Sequence, residues 1–530
     1  MITLSYPIAG GDFDSAGLAT RRLKEQLAKL GVDASAMRRA MIASYEAEMN
    51  VVIHARTGTL WARLDADKLD LEVADEGPGI PDVELAMREG WSTAPERARQ
   101  MGFGAGLGLP NIRKASDLFQ IETRVGRGTR IRSTILFHDG EAGPAEASLA
   151  SGAFRPALGV DDGRCRGCRR CVFTCPTGAL RLRDRRPTLL DHLCVGCTAC
   201  IEECPDGVFS IAADAEPNAG ALRNVPQGAL LIAPRGFVVG FPGFRPPELI
   251  LSGLRQIGFS EVRFLEEWEE SLRRESRHEA AAGKLPRPRI PPLCPPVVSL
   301  IESRFPALMP HLVPCLSPSE AACEEFPLRP VFLAAGCPGQ YSACARSSLT
   351  ERLTVATPAA LANAVLPLLN SRRADGELPA VRVPRANPAG PRGLAASGVR
   401  SVLRLLSRAE TGALADVSVL ELHLCVGGCS ASPLLTSNPE LNGFRWTVKH
   451  SGEPPAAARR NRPYEQREGL RLDPDMTEAI RKLAQIDSMT HSLPGRDCGS
   501  CGSPSCAAFA EDVVMRRAAE GDCPFMENAR

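Results

Sequence analysis

The sequence predicts a multidomain protein of mixed α/β and α+β class. At 530 residues the chain is long enough for three or four separate cores. Two tandem copies of C-x2-C-x2-C-x3-C-P, running from Cys165 to Cys204, mark a small module built around metal. On either side of it, strand patterns alternate with helical ones, as α/β layers require.

The N-terminal stretch opens on a strand and an amphipathic helix. Ala19, Leu23, Leu27 and Leu30 recur at helical spacing, and Gly31 stands as a C-cap. A second helix over 37–55 puts Glu46 and Asn50 on one face, with His54 one turn further on. A strand over 69–74 runs into Asp75-Glu-Gly77-Pro-Gly79-Ile-Pro81. Gly102, Gly104, Gly106 and Gly108 precede a helix from Asn111, and a last strand ends on Val125-Gly126-Arg-Gly128-Thr129. An acid and an amide on one helical face can activate a nucleophile and coordinate Mg²⁺. An aspartate at a strand end can accept from an exocyclic amine. Glycines before a helix let backbone N–H groups approach phosphates. Taken singly, Glu46 and Asn50 also read as a solvated helix face, and Asp75 to Gly79 as a plain loop.

In this order and spacing the pieces resemble the GHKL ATPase superfamily, and within it the serine-protein kinases and anti-sigma factors of bacterial partner-switching systems. The likeness covers residues 1–138 and implies an α/β sandwich that binds ATP and Mg²⁺. By that resemblance Glu46 is the general base, Asn50 holds Mg²⁺, and Asp75 takes the adenine amino group. Gly77 and Gly79 shape the pocket, Gly102, Gly104, Gly106 and Gly108 form the phosphate lid, and Thr129 lies near the adenine. No phosphoacceptor-histidine helix precedes the domain, which points to serine or threonine on a separate protein as the acceptor. The implied partners are a STAS-type antagonist, a phosphatase or a sigma factor, with a homodimer as the assembly.

Residues 139–159, rich in Ala, Gly, Pro and Ser, read as a flexible linker. In the cysteine block that follows, three thiolates two residues apart wrap one corner of a cubane, and the fourth ligates the other cluster. The spacing therefore groups Cys165, Cys168 and Cys171 with Cys204, and Cys194, Cys197 and Cys200 with Cys175, around two [4Fe-4S] clusters. Paired zinc knuckles are the alternative. The block, assigned to 160–215, resembles the bacterial dicluster ferredoxins.

Strands at 229–234 and 261–265 flank a helix at 247–257, an α/β pattern. Cys425 and Cys429 sit beside glycines, and Cys294 and Cys337 each precede a proline. Cys315, Cys323 and Cys344 read as core residues. Residues 225–450 resemble the catalytic-core domain of [FeFe]-hydrogenases, sharing the 232–234 strand end, the acidic 266–270 stretch, the Ser317-Pro318 pair and the cysteine loops. That resemblance implies a cubane on Cys294, Cys337, Cys425 and Cys429. It also exposes departures. Leu293 stands where catalytic members have a proton-shuttling cysteine, Val297 replaces a tryptophan, and Gln340 and Leu316 replace lysines.

After a second linker at 451–475, residues 476–530 begin with a helix from 475 to 484 and carry C-x2-C-x4-C-x16-C on Cys498, Cys501, Cys506 and Cys523. Cys506 opens a helix, whose dipole favours a thiolate. A zinc site is the alternative reading. The segment resembles the small helical single-cluster modules of electron-transport and corrinoid iron–sulfur proteins, and so implies a further [4Fe-4S] site.

A net charge of +1 gives no reason to expect nucleic acid or an anionic membrane. There is no apolar run of about 18 residues and no secretory pattern at the start. With nineteen cysteines, most at ligand spacings, the expected compartment is the reducing cytoplasm. The expected function is redox-responsive signalling, with cluster state coupled to a kinase-like switch and a redox donor or acceptor as second partner. The alternatives are an [FeFe]-hydrogenase-type oxidoreductase with ferredoxin relays, and an ATP-assisted electron-transfer or cluster-assembly factor.

Overall fold

A computed structural model of the chain describes residues 1–13, 16–96, 98, 104, 106–137, 158–211, 222–243, 245–283, 286–345, 353–369, 380–382, 393–435, 454–465, 467 and 471–526. Gly102 and nearly all of the 139–159 segment lie outside the described residues. The chain forms two compact units. One comprises Met1–Ser151, Glu468–Arg496 and Cys506–Arg530, the other Gly152–Arg467 and Asp497–Ser505.

In the first unit β1 (Ile2–Ala9), β2 (Thr57–Leu64), β3 (Lys68–Asp75), β4 (Leu118–Arg124) and β5 (Gly128–Leu136) form an antiparallel sheet in the order β1-β2-β3-β5-β4. Strict alternation turns Ile2, Leu4, Tyr6 and Ile8 of β1 inward. Helices α1 (Leu18–Leu30), α2 (Ala34–His54) and α3 (Gly108–Ala115) belong to the same unit. Leu23, Leu27 and Leu30 of α1 are buried, and Gly31 closes that helix in the left-handed conformation with its N–H on Ala28. No side chain of its own caps the start of α1. Glu48 of α2 does so from 28 residues away in sequence, accepting from Thr20 N at 2.9 Å. Asp33 caps α2 by accepting from Ser35 and Ala36.

Two details differ from the sequence reading. Helix α3 starts at Gly108, earlier than 111. Val125 to Arg127 do not end a strand but form the turn between β4 and β5, with Gly126 at φ +77°. The unit is completed by Met476–Ser492, capped by Asp475, which runs past the expected end at 484. This helix lies against α1. Leu472 N donates to Lys29 O at 2.9 Å, and Lys29 pairs with Glu511 at 2.8 Å.

In the second unit β6 (Leu158–Val160) pairs with β9 (Phe209–Ile211), and β7 (Leu180–Arg183) with β8 (Arg186–Leu189). Short helices α4 (Arg170–Thr174) and α5 (Ala199–Glu203) each begin next to a third cysteine of the tandem motif. A parallel sheet follows, made of β10 (Leu230–Ala233), β11 (Glu261–Phe264), β12 (Val331–Ala334), β13 (Leu353–Ala356) and β14 (Ala380–Arg382) in the order β13-β12-β10-β11-β14. Every residue of β10 and β12 is buried, as strands covered on both faces must be. The apolar 236–240 stretch is helical, within Arg235–Val239. A second, two-stranded parallel sheet joins β15 (Gly393–Ser397) to β16 (Val419–His423). Among the described residues no helix is long and apolar enough to cross a membrane.

Candidate nucleotide site and metal centres

Asp75 is the last residue of β3. Its Oδ1 accepts the N–H groups of Gly77 at 2.7 Å and Thr129 at 3.2 Å, while Oδ2 makes neither bond. Burial raises the Asp75 pKa, and those two backbone bonds oppose the rise. A side chain at Gly128 is excluded, since its Cβ would stand 1.9 Å from Asp75 O. The Thr129 hydroxyl lies 3.1 Å from that of Thr123, and Thr123 Oγ1 accepts Ile80 N at 2.8 Å, so the Gly77–Gly79 loop is tied to β4 and β5.

Glu46 and Asn50 share a face of α2, and the first turn of α3 passes directly over them. A Cβ at Gly108 would lie 3.3 Å from both Glu46 Oε2 and Asn50 Oδ1. Sequence reasoning missed Asn111, whose Nδ2 donates to Glu46 Oε1 at 2.7 Å. Its place three residues after Gly108, facing the same acid, was the available signal. Burial raises the Glu46 pKa and the Asn111 bond counteracts it. A carboxylate shifted upward is a better base near neutrality. His54 is held below its usual pKa by burial, against the opposing charge of Asp75. Gly104 and Gly106 both have left-handed backbone, and Gly106 O accepts Gly90 N at 3.0 Å.

The cysteine block builds two cradles. Cys175, Cys194, Cys197 and Cys200 line one cavity. In the other group the Cys171 thiol is pushed up to about 12, first by burial and then by Cys168, Cys165 and Cys204 around it. The two halves share a backbone device. Arg169, one residue after Cys168, has φ +64°, and Thr198, one residue after Cys197, has φ +66°. A non-glycine residue in this region costs about 1–2 kcal/mol. Its recurrence at equivalent positions is explained by a concave nest of N–H groups, the arrangement that receives anionic iron–sulfur clusters. A mononuclear ion needs its thiolates about 2.3 Å from one point. Among the described residues no three His, Cys, Asp or Glu side chains are so grouped. Four thiols around a cavity suit a cubane, in which each binds its own iron.

A third cradle sits where the parallel sheet reverses its strand order, between β10 and β12. The carboxyl ends of strands at such a point form a crevice. Cys337 follows β12, and Cys425 follows β16. Cys294 follows an extended segment bridged in parallel to β16 through Arg289 and Val419, and it caps the helix Pro295–Arg304. Cys294, Cys337, Cys425 and Cys429 line one cavity, with Cys197, Gln340 and His423 among the other lining residues. Burial pushes the Cys294 thiol up to about 12, and it raises Cys337 and Cys429 together with the neighbouring thiols. Thiols raised in this way are neutral at pH 7, so binding of a metal there would release protons. Burial also holds His423, 3.9 Å from Cys429 Sγ, down to about 4. Glu266 anchors the Cys429 loop by accepting from the Ser430 hydroxyl and from Arg235 N.

The departures noted in the sequence have definite places. Leu293 does not line the cavity but packs with Leu272, Val313 and Cys315. Gln340 turns its Oε1 to Gly336 N at 2.7 Å. Val297 and Leu316 join apolar clusters, and Ser317 forms a capping box with Glu320 at the helix Pro318–Glu324. Cys323 and Cys344 are buried in core.

This cavity touches the ferredoxin-type block. Thr198 Oγ1 is 3.6 Å from Cys425 Sγ, and Gly339 N donates to Gly196 O at 3.2 Å. Of the C-terminal cysteines, Cys498 is exposed and Cys501 half-buried, both in the second unit. Hydrogen bonding with the side chain and backbone of Ser500 holds Cys498 below the usual thiol pKa. In the first unit Cys506 opens Cys506–Val514, and Cys523 is buried after a short turn.

The fold is that of an ATPase-type domain fused to iron–sulfur domains and a hydrogenase-like domain in one chain. Through residues 38–139 the chain belongs to the histidine kinase-, DNA gyrase B- and HSP90-like ATPases. Residues 164–208 match the 4Fe-4S dicluster domain, 236–325 the C-terminal domain of the iron only hydrogenase large subunit, and 493–525 an Fe-S cluster family. The serine/threonine-protein kinase RsbT of Bacillus subtilis is 31% identical over 121 residues, which are 22% of this chain and 85% of RsbT. An anti-sigma F factor of Thermoanaerobacter sp. is 34% identical over 94 residues, 17% of this chain and 62% of that relative, less than two thirds of its length. Among solved structures, the [FeFe]-hydrogenase HydA1 of Chlamydomonas reinhardtii shares 16% identity at a TM-score of 0.33, covering 50% of this chain and 92% of that one.

Proposed function

We propose that the protein is an iron–sulfur redox sensor whose cluster state governs an ATP-binding switch of the serine-protein-kinase and anti-sigma type. The observation that carries this reading is the chemistry at the end of the thiol-lined path. The second ferredoxin cradle abuts the Cys294 cavity through Thr198 and Gly196. The residue before Cys294 is an apolar leucine packed elsewhere. An electron that arrives with no proton carrier at that position is held rather than turned over. A held electron is one unit of negative charge in a desolvated setting, which a bistable contact can read.

In this reading [4Fe-4S] clusters occupy the two ferredoxin cradles, on Cys165, Cys168, Cys171 and Cys204 and on Cys175, Cys194, Cys197 and Cys200. Others occupy the Cys294, Cys337, Cys425 and Cys429 cavity and the Cys498, Cys501, Cys506 and Cys523 motif. The clusters supply one-electron capacity. In the ATPase domain Asp75 Oδ2 takes the adenine amino group, Asn50 holds Mg²⁺, and the lid glycines up to Gly108 bring N–H groups over the phosphates. Glu46, set by Asn111, accepts the proton of the incoming hydroxyl. The domain limits are 1–138, 160–215, 225–450 and 476–530, joined by linkers. The compartment is the cytoplasm. The partner class is that of the kinase and anti-sigma relatives, a STAS-type antagonist, phosphatase or sigma factor.

The test is anaerobic phosphotransfer to, or binding of, such an antagonist at two set potentials. Rate or affinity must differ between them, and the difference must vanish in a Cys168→Ala, Cys197→Ala variant. Equal values at both potentials with full iron content refute the coupling.

A further inference from the structure

Of the eight cysteines in the tandem motif, Cys168 alone is exposed. An electron passing between this block and a molecule in solution has its shortest route there. The surroundings of Cys168 are cationic. The stretch 161–186 carries eight arginines, three aspartates and no other charged side chain. Arg164, Arg166, Arg170, Arg185 and Arg186 are exposed, and Arg169 is half-buried. Arg164 lies over Gly207, its Nη2 3.3 Å from the place a Cβ of that glycine would take. Arg185 lies over Gly167, between Cys165 and Cys168, with its Cγ 3.2 Å from the equivalent point. Asp184 and Arg185 turn the chain from β7 to β8 at φ +48° and +62°. Two-residue hairpin turns of this kind take asparagine, aspartate and above all glycine. The long cationic side chain at 185 is therefore held over the ligand loop against the preference of its own backbone. Counter-charge is scarce. Asp206 bonds Arg166 and is held below the usual carboxylate range by that bond and by the charges of Arg166, Arg164 and Arg170. Asp162 stands 3.8 Å from Arg186. Among the described residues no carboxylate forms an ion pair with Arg164, Arg170 or Arg185.

We infer that this arginine-ringed face is the docking surface for an acidic one-electron carrier protein, which exchanges electrons with the Cys165, Cys168, Cys171 and Cys204 site through the exposed edge at Cys168. On a chain whose net charge is only +1, so basic a stretch is a local positive field, and such a field steers an oppositely charged partner to one place and one orientation. In the reducing direction one electron leaves the reduced carrier, which returns to its oxidised form, and enters a [4Fe-4S]²⁺ site, which becomes 1+. No bond forms or breaks and no proton moves. The inference rests on the iron–sulfur assignment and names the redox partner of the proposed sensor.

The experiment uses the full chain, anaerobically loaded with iron, and a reduced acidic [2Fe-2S] ferredoxin as donor. Stopped-flow bleaching of the cluster absorbance gives the second-order rate of reduction. Between about 0.01 M and about 1 M salt the Debye length falls from about 30 Å to about 3 Å, and the rate should fall at least about tenfold. In an Arg170→Glu, Arg185→Gly variant, glycine takes the left-handed turn position without strain. This variant should react at least about tenfold more slowly than wild type at low salt and at the wild-type rate at high salt. Its iron content and its reduction by a photogenerated neutral deazaflavin radical should be unchanged. A salt-independent rate, or a variant as fast as wild type at low salt, overturns the proposal. So does a variant that both donors reduce more slowly to the same degree, since the arginines would then be counter-ions of the cluster and not a docking face. Protein without iron refutes the cluster assignment itself, which iron analysis separates from those outcomes.

Discussion

Replacing Asp75 by Asn separates recognition from architecture. The Asp75 Oδ1 atom already serves the fold, accepting from Gly77 N at 2.7 Å and Thr129 N at 3.2 Å. An asparagine carbonyl can keep both bonds. Its Nδ2 then replaces Oδ2 and turns a donor toward the adenine amino group. The loss is one hydrogen bond to a charged acceptor, about 1.5–3 kcal/mol. That converts to about 10- to 150-fold weaker ATP binding. Inosine triphosphate, which has no amino group there, should lose no affinity. Stability should move the other way. The folded pKa of Asp75 is raised above its unfolded value, chiefly by burial. Folding therefore binds the proton more tightly, and native stability falls as pH rises from the unfolded pKa through the folded one. Asparagine carries no such burden, so the variant without nucleotide should melt no lower than wild type at neutral pH. The assay is calorimetric titration of ATP and inosine triphosphate beside thermal unfolding at pH 7. ATP affinity within about twofold of wild type in a folded variant would refute the assignment of Asp75 to the adenine.

Three further outcomes are expected. Asn111→Ala removes the bond that holds the Glu46 pKa down, so the acidic limb of the phosphotransfer pH profile should move to higher pH; an unmoved limb means Glu46 is not the base. Four cubanes imply about sixteen iron atoms per chain, and Cys294→Ala should remove about four while the ferredoxin EPR signals persist, as iron and sulfide assay will check. With Leu293 packed away from the cavity and Gln340 bonded to Gly336, hydrogen evolution from a strong reductant should be negligible by gas chromatography.

The sequence revealed whatever is fixed by spacing. The sequence reading grouped Cys175 with Cys194, Cys197 and Cys200 because ligand geometry dictates the interval, and in the fold those four thiols are among the residues that line one cavity. Helix α1 was legible from Leu23, Leu27, Leu30 and the glycine after them. What escaped depends on chain segments far apart. The Asn111–Glu46 bond joins two helices, and the Glu48 cap reaches back from α2 to α1. The left-handed backbone at Arg169 and Thr198 follows from wrapping a cradle, against the local preference of both residues. The sequence reading ended a strand on Val125–Thr129, where Gly126 and Gly128, at φ +77° and +90°, instead turn the chain between β4 and β5. Leu293 stands out in the sequence as a departure, and only packing shows that it lies with Leu272, Val313 and Cys315 and not on the cavity wall.

The helix Met476–Ser492 gives the first unit an awkward order of assembly. Lys29 of α1 meets Leu472 and Glu511, partners more than four hundred residues later in the chain. At about 5–20 residues per second, ribosomal synthesis of the intervening stretch takes roughly 20 to 90 seconds. During that interval the sheet and helices α1, α2 and α3 stand with one side of α1 uncovered. The unit's last contacts form only after the cysteine-rich stretch has been synthesised, so the first unit is completed later than every segment that separates its N-terminal sheet from Leu472.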